Sequence, residues 1–306
     1  MKNTIRIGTR NSPLAFLQAK KVQYELSKLG KVSFLVPIKS YGDLEYNIPI
    51  KKINSIGLFT KTLIRAMIIG LVDISVHSLK DIPTTLLKNV ILSACLKREN
   101  VLDILVYKGS DSFLYNPSIP ALIATGSIRR KAFWKNRYPY HTIIDLRGNI
   151  NTRLNKLIKN NWNGAIFSIS ALERLNILNN LKNFNLKYTI LEWMIPSPAQ
   201  GVIAITSLKK NKNLSIYCKK LDHKKTRYAI TIERQFLGTL EGGCYTPIGA
   251  YAFFKKKIVH FHGALLSKNG IKKIEKYKIT SNFKKLGGGC AKDILYNNSI
   301  NFYKKN

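Results

Sequence analysis

Apolar and polar positions alternate between strand-like and helix-like spacing along the first two thirds of the chain. Thr4-Ile5-Arg6-Ile7-Gly8 reads as a buried strand. Behind it, Ser12 is placed to cap a helix and Pro13 to occupy its first turn, where a missing N–H costs nothing. That helix is predicted from Pro13 to about Leu29, closed by Gly30. A strand follows at Val32 to Ile38, a helix at Leu58 to Ile69 closed by Gly70, and a strand at Asp73 to His77. Such alternation predicts an α/β fold with a largely parallel sheet. The polar stretch from Tyr41 to Gly57 lacks periodicity and is too long for a routine connection, so it is read as a lid.

The same pattern restarts further on. Strands are predicted near Asp103 to Tyr107, Leu122 to Thr125, Thr142 to Leu146 and Gly164 to Phe167, with helices starting near Ser127, Asn149 and Ser168. Ile195 to Gly201, rich in proline, reads as a return linker, and Val202 to Ser207 as a strand rejoining the first sheet. After about Lys219 the pattern changes: a helix from Asp222 to Leu240, strands at Ile248 to Phe254, Ile258 to Leu266 and Ile271 to Thr280, then a helix from Leu286 to Asn297. This reads as a small α+β domain with an antiparallel three-stranded sheet. The expected domains are residues 1–98 with 200–219, then 99–199, then 220–306.

Composition narrows the class. The 306 residues are 45% hydrophobic and 22% charged, which fits a globular chain with a large core and excludes a disulfide-stapled miniature or wholesale disorder. No apolar run reaches the length of a membrane span, and the first residues show no secretory apolar core, so a cytoplasmic protein is expected. Cys95, Cys218, Cys244 and Cys290 stand far apart without a CxxC pair, which gives no support to a zinc ribbon or disulfide framework.

Fifty-one Lys and Arg against sixteen Asp and Glu leave a formal charge of +35. Taken alone this nominates a polyanion as partner. Only twelve of these cations are arginine, however, and the lysines come with abundant Asn and Ile, as in drift from an AT-rich coding sequence. The arginines are more selective: Arg10, Arg129, Arg130, Arg147, Arg153 and Arg174 each fall beside a strand end or helix start. Parallel sheets bind ligands outside their carboxyl ends, helix N-termini there offer free N–H groups, and guanidinium groups grip carboxylate or phosphate in two-point geometry. Thr125-Gly126-Ser127-Ile128-Arg129-Arg130 and Asp145 through Arg153 are two such turns, suited to several negative charges together. Any one of these arginines reads by default as a solvated charge at a helix end, but four together at one sheet edge do not.

His77-Ser78-Leu79-Lys80-Asp81-Ile82-Pro83 carries a carboxylate at a strand end in cationic surroundings, and Asp81 is the candidate catalytic group, able to stabilise a developing cation or move a proton. It reads as well as a turn residue paired with Lys80 or a backbone N–H. Cys244 sits behind Gly242 and Gly243 in a loop that would expose its thiol as nucleophile or attachment point. No histidine stands in a protease-like motif. His260 and His262 could share a strand face, but without further ligands no metal site is expected. Cys95, Cys218 and Cys290 are read as packing residues.

Taken together these stretches resemble the porphobilinogen deaminase (hydroxymethylbilane synthase) family over nearly the whole chain. The resemblance is carried by Ile7 through Ala15, Val76 through Pro83, Ala124 through Arg130, Leu146 through Leu154, and Leu240 through Cys244 with Pro247-Ile248-Gly249, in the family order and spacing. It implies two periplasmic-binding-protein-like α/β domains and a third bearing the cysteine loop. It also implies a dipyrromethane cofactor, attached to Cys244 by a thioether, onto which four porphobilinogen units are added head to tail with loss of ammonia before hydrolysis releases hydroxymethylbilane for porphyrin synthesis.

By position, the resemblance assigns Asp81 to catalysis, with an azafulvene cation formed as ammonia leaves. It assigns Lys80, Asp81, Ser78, Thr125, Ser127, Arg129 and Arg130 to the cofactor, and Arg10, Ser12, Arg147, Arg153, Arg174, Gln200 and Lys52 to porphobilinogen and the growing chain. It implies a monomer that needs no metal, no membrane and no specific nucleic acid. The chain departs from the family pattern in the lid, where Asn54 and Ser55 replace glycines and Ile56 a lysine, at Thr62 in place of an acid, and at Gly126 in place of a serine. Two other classes compete. A solute-binding module would clamp an anion without chemistry, and a nucleic-acid binder would show steep salt dependence.

Overall fold

A computed structural model describes residues 4–39, 58–116, 118–240 and 246–298. The predicted lid with Lys52, Asn54, Ser55 and Ile56, and the loop with Cys244, lie outside the described residues. In chain order the elements begin β1 (Thr4–Arg10), α1 (Pro13–Ser27), β2 (Val32–Ile38), α2 (Leu58–Ile68), β3 (Ile74–Ser78), β4 (Val90–Cys95), β5 (Asp103–Lys108) and α3 (Ser112–Tyr115). They continue with β6 (Leu122–Ala124), α4 (Ile128–Arg137), β7 (Thr142–Ile144), α5 (Ile150–Lys159), β8 (Gly164–Ser168), α6 (Ile169–Arg174), β9 (Leu186–Ile190) and β10 (Ile203–Leu208). The last are α7 (Lys212–Lys220), α8 (Lys224–Thr239), β11 (Ile248–Lys255), β12 (Ile258–Leu266), β13 (Lys273–Thr280) and α9 (Leu286–Asn298). No helix among the described residues is long and apolar enough to cross a membrane.

The chain divides into two compact units, Met1–Glu99 with Gly201–Arg227 and Asn100–Gln200 with Tyr228–Asn306. In the first, the sheet runs β2-β1-β3-β10-β4. β1 pairs in parallel with β2 and β3, whereas β10 is antiparallel to both β3 and β4. The expected return strand is therefore in place, but the sheet is mixed rather than largely parallel. Ile7, Leu26, Ile74 and Ile205 are buried together in its core. Ser12 caps α1 as predicted, its Oγ accepting the Ala15 N–H at 3.4 Å with Pro13 in the first turn. The helix ends at Ser27, two residues short of the expectation, where Gly30 turns the chain at φ 68° and donates to the Ser27 carbonyl.

The second unit holds two sheets. One runs β7-β6-β8-β5-β9, with β6 parallel to β7 and β8 and β5 antiparallel to β8 and β9. The other is the expected antiparallel β11-β12-β13. Its inner face packs on Ile232 and Phe236 of α8 and on Cys290 and Ile294 of α9. Gly263 is required there, because a Cβ would sit 2.7 Å from the Phe236 ring. The Ala250 N–H donates to the Pro196 carbonyl at 2.9 Å, tying β11 to the linker. The mixed α/β architecture and the antiparallel C-terminal sheet stand as expected.

Candidate functional site

In the first unit, the carboxyl ends of the parallel strands β1 and β3 bring two predicted groups of residues to one sheet edge. β1 ends at Arg10 and leads to the Ser12 cap. β3 ends at Ser78 and passes into a 3-10 turn, Leu79–Asp81. Leu79 anchors this turn: its side chain is buried and its N–H donates to the Val202 carbonyl at 2.9 Å. Lys80 and Asp81 are thereby held half-buried beyond the strand end. Ser78 is fixed by Gln18 of α1, whose amide donates to its Oγ at 2.8 Å. The Asp81 carboxylate has no hydrogen bond or ion pair with another described residue, so its lone pairs are not committed to the turn.

His77, which precedes this turn, is buried, with Nε2 3.2 Å from the Thr206 hydroxyl. Burial, reinforced by the positive charge of Arg10, pushes its pKa from 6.5 down to about 3. It is neutral at physiological pH, which leaves Asp81 as the acidic group of the loop. The depressed value also predicts a pH dependence. The unfolded chain takes up a proton as pH falls through 6.5 and the folded chain only near 3, so stability present at pH 7 is lost across that interval. This group alone should remove about 2 kcal/mol by pH 5. Denaturant unfolding at pH 7 and pH 5 should show His77→Gln losing less stability on acidification than the parent, and equal losses would contradict the assignment.

In the second unit the predicted turns again lie at carboxyl ends of neighbouring parallel strands. Ser127 caps α4, accepting the Arg130 N–H at 3.4 Å, and the Thr125 hydroxyl accepts the Ser127 N–H at 3.3 Å. The Thr125 N–H donates to the Ile144 carbonyl at 2.8 Å, joining this turn to the one after β7. Gly126 permits the approach, since a Cβ there would run into the Leu146 carbonyl. On the second turn, Asn149 caps α5 by accepting the Thr152 N–H at 2.9 Å, and Arg153 Nε donates to the Gly148 carbonyl at 2.7 Å. Arg147 is half-buried, without a hydrogen bond or ion pair to another described residue. Arg174, expected beside a strand end or helix start, instead closes α6 at its C-terminal end, because this helix is only six residues long, and is half-buried.

Arg129 and Arg130 are buried, and both turn toward Asp103, a fully buried carboxylate at the start of β5. Arg129 Nη2 reaches Oδ2 at 2.5 Å, and Arg130 donates through Nε and Nη2 to Oδ1 at 3.1 and 2.8 Å. Their Nη1 groups donate to the carbonyls of Ile195 and Ile166, both in this unit. The Gln200 amide, also buried, donates to Asp103 Oδ1 at 2.9 Å and to the Val101 carbonyl at 2.7 Å. Burial alone would raise the Asp103 pKa, but the two guanidinium groups override it and hold the carboxyl well below the ordinary range. Two cations and one anion leave this cluster with one positive charge. Arg129 Nε is moreover a buried donor without a partner among the described residues. Unsatisfied charge and an unsatisfied donor together suit an anionic acceptor.

Asp103 and Glu233 were not among the predicted site residues. Glu233, buried on α8, accepts the N–H groups of Ala199 at 2.7 Å and Ala252 at 2.8 Å, and so fixes the linker at Ala199, whose φ is 63°. Asp103 interrupts the apolar run Val101 to Val106 in a chain with only sixteen acids, which is the signal that marks it, whereas Glu233 is followed by Arg234 and Gln235 and carries no such mark. Cys95, Cys218 and Cys290 are buried, in keeping with packing roles, and burial pushes the Cys218 thiol up to about 12. His260 and His262 are engaged on the sheet face by Tyr277 at 2.9 Å and Glu275 at 3.6 Å.

Residues 5–215 match the family model described as porphobilinogen deaminase, dipyromethane cofactor binding domain, and residues 227–295 match porphobilinogen deaminase, C-terminal domain. The chain is 36% identical over 306 residues to the porphobilinogen deaminase of Campylobacter hominis, covering 99% of this chain and 98% of that one. It is 37% identical to that of Buchnera aphidicola, covering 97% and 95%. To the chloroplastic enzyme of Pisum sativum it is 36% identical, covering 95% and 81%. Among solved structures, the VFT2 domain of Bordetella pertussis BvgS aligns at a TM-score of 0.46 and 11% identity, over 72% of this chain and 87% of that domain. The two family domains, matched in order along most of the chain, and the full-length relatives establish that this chain belongs to the porphobilinogen deaminase family.

Proposed function

We propose that this protein condenses four porphobilinogen molecules head to tail on a dipyrromethane primer held through Cys244, with four ammonia molecules released and one water consumed as hydroxymethylbilane leaves. The observation that carries the reading is the buried Asp103 cluster, with its residual positive charge and the unpartnered Arg129 Nε. Every pyrrole of the primer brings acetate and propionate groups, so these residues fit it. Arg129, Arg130, Thr125, Ser127, Lys80 and Ser78 are the residues assigned to its acids. When bound, the primer supplies the pyrrole carbon that attacks the incoming substrate.

The remaining residues act on porphobilinogen. Arg10, Ser12, Arg147, Arg153, Arg174 and Lys52 orient its carboxylates, guanidinium forks being matched to planar anions. Gln200 serves this set through the cluster that engages its amide. Asp81, with its carboxylate uncommitted, accepts pyrrole N–H groups and stabilises the positive charge that develops on substrate as ammonia departs. The buried states of Cys95, Cys218 and Cys290 support Cys244 as the attachment point. The protein acts as a cytoplasmic monomer in this reading. Incubation with porphobilinogen should release four ammonia molecules for every hydroxymethylbilane formed. Porphobilinogen bound without ammonia release would favour the solute-binding alternative instead.

A further inference from the structure

We infer that Asp103 is a positioning residue for the cofactor: by holding the Arg129 and Arg130 guanidinium groups on its two oxygens, it sets both their orientation and the single positive charge presented to a ligand carboxylate. The inference rests on the reading that these arginines grip the primer. Consecutive residues at the start of one helix would ordinarily send two like charges apart into solvent. Here both are drawn inward, one to each oxygen of a carboxylate with no exposed surface. Asp103 reaches them because β5 runs antiparallel to β8 with Asp103 opposite Ser168, so the start of one strand lies at the carboxyl end of the other.

The carboxylate also accepts from Gln200, the last residue of the linker within this unit. With its acceptor sites shared among four N–H donors of three side chains, Asp103 leaves Arg129 Nε, and only that one of the two guanidinium Nε groups, without an acceptor among the described residues. Asn at this position would keep the shape, lose the charge, and offer the arginines one acceptor oxygen where there were two. Glu would keep the charge and displace it by one methylene.

The test compares cofactor loading in apo-protein, followed as mass gained per folded molecule after addition of porphobilinogen. The variants are Asp103→Asn, Asp103→Glu and, separately, Arg129→Lys and Arg130→Lys, with folding monitored by cooperative unfolding. Asp103→Asn that folds should load at least about tenfold more slowly, and Asp103→Glu should recover part of the rate. Loading of folded Asp103→Asn at the parental rate would overturn the inference. If Asp103→Asn does not fold, Asp103→Glu decides, slowed loading supporting the inference and parental loading overturning it. The two failures are separable: arginine variants that load normally would overturn the underlying reading, whereas impaired arginine variants beside a normal Asp103→Asn would overturn the role of Asp103 alone.

Discussion

Asp81→Asn is expected to bind porphobilinogen nearly as the parent does and to release ammonia about a thousandfold more slowly. Asn retains the shape and one acceptor oxygen of the carboxylate but not its charge, and it is the charge that the departing ammonia calls for. Stability should change by no more than about 0.5 kcal/mol, since the side chain is half-buried and makes no hydrogen bond or ion pair with another described residue. The lost rate therefore reports chemistry rather than unfolding. His77 cannot take over, because its burial keeps it neutral and its Nε2 faces Thr206. Equilibrium binding and ammonia release, measured on the same preparation, check both halves. Near-normal release would remove Asp81 from the mechanism.

Arg130→Met should have two effects of different origin. Arg130 supplies two hydrogen bonds to Asp103 and one to the Ile166 carbonyl, all in the interior, and removing one partner of a buried ion pair costs about 3–5 kcal/mol. The same change takes the cluster from one positive charge to none, so cofactor acquisition should fail even in molecules that remain folded. Thermal unfolding and loading, followed in parallel, distinguish these effects. A destabilised variant that still loads fully would reduce Arg130 to a packing role.

The parts of the site legible in the sequence are those whose causes are local. Ser12, Ser127 and Asn149 cap the helices they precede, because a side-chain oxygen and a free N–H two or three residues later are enough to define a start. Arg10, Arg129, Arg130 and Arg147 stand at or just after strand ends for the same reason, but Arg153 lies within α5 and Arg174 at the end of α6. Asp103 was not, since its role depends on the antiparallel register of β5 against β8, a contact some 65 residues apart that no local spacing encodes. Strand direction misled the reading in both large sheets: apolar runs announce that β5 and β10 exist but not which way they run. β4 and β9, at the edges of their sheets, are not predicted from the sequence. Glu233 likewise acts at a distance, from a helix onto a linker and a strand.

The central claim is that a primer rich in carboxylates is carried covalently by this chain through Cys244. The intact mass of the purified protein tests it most directly. The parent should be heavier than its sequence by one dipyrromethane, and Cys244→Ser should have the mass of its bare chain. A parent at bare mass, unchanged after incubation with porphobilinogen, would contradict the account.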